Sequence, residues 1–472
     1  MLCASAVGNW IDRSPSRLPT LLITITLNHA AIVASYCCWL YWPVVAGYGD
    51  EVAGETTSPF SSLSKGVLYG FILFLDVVHD LSAIANRLSL ERDWVPILVG
   101  PITSEITYGL TQVNSVMVRI ELIVKLVAPS LLPLMMSTFN SQEGWILLLV
   151  AITLAMWATE VGCARLVARE NPELQELKKP SVDPATVEDL VIEDQFIHLK
   201  PGLASLPRKM YFVLYQDPAI RLRHYFSIPM WPASISMALL QLTVLAYSAT
   251  LMTYLLQTGF SISSITVARA SGAITGLAST VITPWFVSVL RDRYMRGSSV
   301  GGDDAAEGRV VRTVGLWGII LQFLFLIPVV LVLWSLSSAI PQEILSRQAD
   351  SSSTASPHIL VPIILFTFLS MSRIGHYMNH LMVQELGQVE ILVSQRSTFA
   401  GTEQSFRSLC ELCHWAATIV WDHPSQFKWL ALGSLLVVGL SLALFATWAG
   451  KSSRSGGYDS VALDELEQDN TF

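Results

Sequence analysis

About ten stretches of this 472-residue chain match what a membrane-crossing helix needs, about 20 mostly apolar residues in a row. They lie at 19–46, 64–88, 108–136, 144–168, 227–257, 263–290, 312–338, 357–384, 398–421 and 427–449. Repeated apolar runs of this length confine the chain to an all-α, polytopic membrane fold. Composition agrees: 52% of residues are hydrophobic and 14% charged, where soluble domains carry about 25% charged residues. The net charge of −8 leaves no basic footprint for nucleic acid.

Orientation follows from Lys and Arg in the short loops. Alternate loops are basic. One set holds Arg13 and Arg17, Arg87 and Arg92, Lys178 to Lys209, Arg291 to Arg312, and Lys451 with Arg454. The opposite set holds only Lys65, Arg347 and Lys428. Both ends of the chain are therefore expected in the cytosol, with an even number of spans. The polar break at 170–224 reads as a cytosolic linker between an N-terminal half (1–169) and a C-terminal half (225–450), with a tail at 451–472. Within the linker, 187–199 has the pattern of a surface amphipathic helix. Segments 297–309, 341–357 and 451–472 read as flexible.

Six cysteines, Cys3, Cys37, Cys38, Cys163, Cys410 and Cys413, fall mostly in apolar spans and do not form a secreted disulfide framework. No cleavable signal peptide is evident, because residues 1–7 lack a charged leader. No phosphate-binding glycine loop or nucleophile elbow is present, so the chain does not read as an enzyme.

Ionisable residues inside the spans carry the functional signal. A charge at membrane depth costs roughly 2.5 kcal/mol or more, so it usually marks a pathway or a site. Asp76, His79 and Asp80 follow an i, i+3, i+4 pattern that presents two carboxylates and an imidazole on one helix face. The alternative is that they line a polar cavity. Glu121 and Lys125 are four apart and can pair; Glu121 is either a cation site or neutralised by Lys125. Cys410 lies one turn before His414, so thiolate and imidazole can share a soft divalent metal, or the thiol is simply buried. The Cys410-x-x-Cys413-His414 spacing also fits c-type haem attachment, but a membrane helix is the wrong place for it. Arg373, His376 and His380 form another polar stripe. Carboxylate, imidazole and thiol together point to transport of a metal cation.

Several short motifs resemble the ferroportin family of iron exporters, in order along nearly the whole chain. Gly8-Asn9-Trp10-Ile11-Asp12-Arg13 is similar to the family's Gly-Asp-Trp-Val-Asp turn. Leu90-Glu91-Arg92-Asp93-Trp94 matches its Arg-Asp-Trp signature, and Asn114 to Pro129 its fifth helix. Ser271 to Gly276 and Arg373-Ile374-Gly375 match the eighth and tenth. The resemblance implies a major-facilitator fold of twelve helices in two bundles, about ten of them present here. The first helix and most of the second would then be missing. It implies alternating-access export of ferrous iron, with possible proton coupling and no resident cofactor. The membrane would be plasma or vacuolar. In that reading Asp12, Arg13, Arg92, Asp93, Arg119, Lys125 and Arg373 serve gating, and the acidic-basic turn at 8–17 locks the halves. Leu290-Arg291-Asp292-Arg293-Tyr294 is its weak echo in the second half.

The chain departs from the family at both metal sites. The family's fifth-helix aspartate falls on Glu121 and an asparagine one turn on falls on Lys125. Its eleventh-helix histidine falls on His414. Its seventh-helix cysteine falls on Ala249, which argues against hepcidin-type hormone regulation and leaves Cys410 as a candidate replacement sulfur. Two other readings stay open: export of another divalent metal (Zn, Co, Ni or Mn), and a non-transporting scaffold, sensor or incomplete gene.

Overall fold

The computed structural model describes residues 3–46, 59–99, 109–137, 142–178, 217–297, 303–347, 360–421 and 423–452. These are helical almost throughout. The N-terminal group consists of α1 (Ala4–Arg13), α2 (Arg17–Ala46), α3 (Pro59–Leu88), α4 (Val95–Val99), α5 (Leu110–Ser137) and α6 (Gln142–Glu170). A π-helical turn, Ser89–Trp94, joins α3 to α4. The C-terminal group is α7 (Asp217–Ser227), α8 (Trp231–Leu239), α9 (Ala249–Gln257), α10 (Ile262–Gly297), α11 (Asp303–Arg347), α12 (Leu360–Val389), α13 (Arg396–Val420) and α14 (Phe427–Ser452).

Among the described residues, six helical stretches are long and apolar enough to cross a membrane: 17–42, 63–99, 143–170, 262–294, 308–337 and 424–451. The helices α5, α12 and α13 reach similar lengths but carry more polar side chains. Their polarity is matched by position, because they line the contact between the two groups. The outer surface is the reverse of a soluble protein's. Leu63, Val67, Trp285, Leu331, Ile419 and Leu436 are all more than 60% exposed, an apolar belt that water would not tolerate and hydrocarbon does.

Packing divides along the same line. The largest core belongs mainly to α8–α14 and includes Met237, Val314, Leu333, Leu369, Leu381 and Phe445. A smaller core in the N-terminal group gathers Leu21, Ile25, Trp94, Ala164, Ala168 and Leu174. A third joins the groups, with Ile11 and Ala85 packed against Leu88 and Ala400. It sits where α1 lies along α13 at close range. A Cβ added at Gly8 would overlap the Ser397 carbonyl, and one at Gly401 would overlap the Ala4 carbonyl. Two glycines thus let the backbones touch.

Four expectations need correction. The stretch 227–257 is not one helix: α8 ends in a 3-10 turn, Leu240–Leu242, and extended backbone at 243–248 precedes α9. The turn at 8–17 is mostly helix, since α1 runs to Arg13. Residues 303–309 and 341–347, read as flexible, lie within α11. The start of the linker is also ordered. A 3-10 turn, Pro172–Gln175, leads to Lys178, whose amide donates to the Pro15 carbonyl (3.0 Å) and whose Nζ donates to the Ile11 carbonyl (2.9 Å). The amphipathic reading of 187–199 lies outside the described residues, as does most of the tail.

Candidate functional site between the two helix groups

At one end of the molecule polar contacts cross between the groups. Asp12, in the last turn of α1, caps the N-terminus of α13. Its Oδ1 accepts from the Ser397 amide (3.1 Å), and its Oδ2 accepts from the Thr398 amide (2.6 Å) and hydroxyl (2.7 Å). The first amides of a helix have no intrahelical partner and carry partial positive charge. A carboxylate from another helix satisfies them. Gln395, at the N-cap position itself, makes no side-chain cap bond, so the cap comes from the opposite group. Burial pushes the Asp12 carboxyl from 3.8 up to about 6, although hydrogen bonds from Thr398 and Ser397 favour the ionised form.

A second crossing contact comes from Arg92, which is 7% exposed and donates to the Gln384 carbonyl (3.0 Å) on α12. Beside it, Gln388 donates to the Glu91 carbonyl (2.6 Å), and Asn114 donates to Gln388 Oε1 (2.7 Å). The Thr111 hydroxyl donates to Glu385 (2.6 Å). Further along α5, Arg119 donates to the hydroxyl (3.1 Å) and carbonyl (3.3 Å) of Thr280 on α10. Arg92 and Arg119 therefore bridge the groups.

Asp93 does not bridge them. It accepts from Arg17 Nε (3.0 Å) and pairs with Lys178 (2.7 Å), both on its own side. Asp93 and Trp94 are buried. Arg13 ends α1 next to the clasp. Its echo, Asp292, is exposed, unlike Asp12.

Away from the clasp, the C-terminal group offers a break within the apolar stretch 227–257. Irregular backbone in a membrane-crossing stretch is tolerated where it is buried in protein or lines a polar cavity. His414 on α13 is buried and lies with Nδ1 3.4 Å from the Leu242 carbonyl. Arg373 on α12 donates to the Leu245 carbonyl (3.1 Å) and sits 5.9 Å from the Tyr247 ring. The Tyr247 hydroxyl lies 2.7 Å from that of Ser370, which is 2.8 Å from that of Ser271. His414 and Arg373 are thus brought to the same break from different helices. Ala249 opens α9 just beyond it. Cys410 is half-buried one turn before His414.

In the N-terminal group, Lys125 donates to Glu121 at 2.6 Å, and Arg87 is 3.9 Å from the same oxygen. The neutralising ion pair is therefore formed. The His79 Nδ1 lies 3.0 Å from the Asn28 amide nitrogen, while Asp76 is exposed and Asp80 half-buried. Among the described residues, no three His, Cys, Asp or Glu side chains come close enough together to hold a metal ion.

Sequence reasoning passed over two clusters. In the first, His29 stacks on Trp157 and its Nε2 lies 2.7 Å from Glu160, which also accepts from Asn86 (2.9 Å). In the second, Glu403 on α13 accepts from Ser234 (2.7 Å) and pairs with Arg407 (2.6 Å); the Tyr225 hydroxyl donates in turn to Ser234 (2.7 Å). The signal was available for both: Glu160 and Glu403 are carboxylates within apolar or closely packed spans.

Comparisons with known proteins bear on this arrangement. A family model described as Ferroportin1 matches residues 1–294 and 305–438. Mouse ferroportin is 21% identical over 521 residues, covering 100% of this chain and 87% of the mouse protein. Among solved structures, a bacterial homologue of the iron transporter ferroportin, in an outward-facing state, superposes with a TM-score of 0.67 at 20% identity. That match covers 95% of this chain and 87% of the bacterial one. A proton:xylose symporter of the major facilitator superfamily gives a TM-score of 0.50 at 10% identity, covering 96% and 83%.

Proposed function

This chain belongs to the ferroportin family, and we propose on that premise that it exports a divalent metal ion, ferrous iron first, by alternating access. The observation that carries the reading is the broken helix at 240–248 with His414 packed against it. A helix interrupted at mid-depth is where transporters of this architecture bind their cargo. Mouse ferroportin matches the whole chain, and a bacterial homologue of the iron transporter ferroportin was solved with soaked iron.

In this reading residues 1–169 and 225–450 are the two moving halves, and the alternate basic loops put the clasp on the cytosolic side. The structure closed at that end is then the state that releases metal outward. Opening requires Asp12 to leave α13 and Arg92 to leave α12. Transport is rocking between two packed arrangements, with the cargo shifting their balance only by the difference in its affinity for each. His414 supplies a nitrogen whose lone pair is lost on protonation, which gives a physical route for coupling metal release to protons. Glu121 is the second candidate ligand, usable once Lys125 and Arg87 draw away.

The test is metal efflux from proteoliposomes, with Fe²⁺, Co²⁺ and Zn²⁺ offered separately across a pH gradient. His414→Ala should reduce efflux at least tenfold without changing the elution volume of the purified protein. Efflux of Zn²⁺ or Co²⁺ in preference to Fe²⁺ would redirect the assignment to another divalent metal, in line with alanine at position 249. No efflux of any metal from folded protein would sink the transport reading.

A further inference from the structure

One pair of ionisable groups inside the apolar spans stands apart from both the clasp and the helix break. His29 lies near the middle of the span 17–42, and Glu160 lies within the span 143–170. Because α2 packs against α3 and α6, three side chains meet. His29 Nε2 is 2.7 Å from Glu160 Oε2, and Asn86 donates to Glu160 Oε1 (2.9 Å). The His29 ring also stacks on Trp157 of α6, with centroids 6.2 Å apart.

The chemistry of these groups decides what the pair can do. An ionised carboxylate only accepts hydrogen bonds. Against ionised Glu160, a neutral His29 must therefore carry its hydrogen on Nε2, which leaves the Nδ1 lone pair open. That form holds one net negative charge between three apolar helices, where a charge is costly and marks function by default. One added proton cancels it, whether it settles on Nδ1 or between Nε2 and Oε2.

A second observation points to the same ligand. His29 Nδ1 and Asn86 Oδ1 are buried and have no hydrogen-bond partner among the described residues. Buried polar atoms are nearly always satisfied, so both call for an explanation. His29 is 9% exposed while the Glu160 side chain is 39% exposed, so a proton reaches the pair at the carboxylate.

The other ionisable groups on the elements packed against α2 have their own partners or surroundings. On α3, His79 Nδ1 lies 3.0 Å from the Asn28 amide nitrogen, with half-buried Asp80 beside it in sequence. On the π-helical turn, Asp93 is held by Arg17 and Lys178, and Glu91 is half-buried. Glu173 on the 3-10 turn is exposed. Among the described residues, the ion pair of His29 is with Glu160.

The pair is also mounted on elements that carry the clasp. Asn86 lies in the last turn of α3, next to the π-helical turn whose Arg92 donates to Gln384. His29 lies on α2, whose first residue, Arg17, holds Asp93 in that same turn. Opening that frees Arg92 from α12 therefore displaces helices that hold Glu160.

We propose that His29 and Glu160 bind the proton exchanged for the metal, at a site in the N-terminal group away from His414. The inference rests on the transport reading and adds the place where the counter-ion sits. Opening changes how Asn86 and α2 hold the carboxylate, and the proton is taken up or released with that change. Metal and proton then occupy different halves and do not compete for one nitrogen.

The test is anaerobic Fe²⁺ efflux from proteoliposomes, measured at equal pH and with an acidic outer solution, while a trapped dye follows the internal pH. In the unsubstituted chain the gradient should speed efflux several-fold, and internal pH should fall as metal leaves. In Glu160→Gln the ratio of the two rates should drop to near one and the dye signal should vanish. Glutamine still bonds to Asn86 and to the imidazole, so a merely structural contact would survive this change. A full gradient response in Glu160→Gln would overturn the proposal. Downhill efflux that ignores the gradient in the unsubstituted chain would overturn it too, while leaving metal transport intact. No efflux at all from folded protein would sink the transport reading instead. Proton uptake by the purified chain then judges the site alone. On acidification from pH 8 to pH 5 it should exceed that of His29→Gln by about one proton per molecule, and equal uptake would overturn the site.

Discussion

Replacing Asp12 by alanine is expected to unlatch the closed end and lower metal flux several-fold. Among the described residues, the carboxylate is the side-chain acceptor for the Ser397 and Thr398 amides at the start of α13. Removing an N-cap acceptor costs about 1–2 kcal/mol, a shift of roughly 5–30-fold in the balance between closed and open. Thr402 lies one turn further along α13 and is buried under α1. In a cysteine-free background, Thr402→Cys should react with a maleimide correspondingly faster once Asp12→Ala is added. Unchanged reactivity would mean that the cap does not hold the groups together.

The same carboxyl gives the clasp a pH dependence with a definite sign. Burial raises it to about 6 in the closed state. When exposed it should titrate near its ordinary value, about 4. The closed state thus binds a proton that the open state releases. This contribution to closure is full below about pH 4 and is lost as pH rises through 6. Relative to Asp12→Asn, the Asp12 protein should therefore be better closed at pH 5 than at pH 7. Asparagine keeps one acceptor and should show no such dependence.

The largest effect on folding is expected from Gly375→Val. At this position α12 crosses α11 with backbone against backbone. A Cβ at 375 would overlap the Gly318 carbonyl and approach the Gln322 amide to 2.6 Å. A Cβ at Gly318 would meet the Asn379 amide at 2.7 Å and the Gly375 carbonyl at 2.8 Å. Small residues that let helices approach closely are the main device of membrane helix packing. No flexible side chain is available to yield, so the helices themselves must separate. The cost should reach or exceed the upper end of the about 1–3 kcal/mol typical of overpacking. Thermal unfolding and gel filtration should show lost stability and lost monodispersity. Gly433→Val provides the control, because a Cβ there meets nothing within 4 Å; equal damage from both would refute the packing argument.

How much of this was legible in the sequence follows from range. Hydropathy is local, so most spans could be placed from it, as could the Glu121–Lys125 pair, which is one helical turn apart. The break after Leu239 was not legible from hydropathy. Residues 240–248 are as apolar as their flanks, and what allows the backbone to leave the helix is tertiary. The Val244 amide is satisfied by the Ser434 hydroxyl (2.9 Å) and the Leu245 carbonyl by Arg373, both distant in sequence. The Asp12 motif could be noticed, but its partner, the start of α13, lies 385 residues away. The partners of Asp93, Arg17 and Lys178, are likewise distant in sequence.

We propose that the two helix groups exchange closed and open arrangements at the Asp12 clasp. Single-molecule fluorescence transfer measures this directly, with dyes on Leu177→Cys and Val393→Cys in a cysteine-free protein. These residues are exposed and lie on opposite groups at the closed end. In liposomes the account predicts two interconverting distances, whose populations move when metal is added and shift toward the longer one in Asp12→Ala. One fixed distance, the same with metal and in the variant, would contradict it.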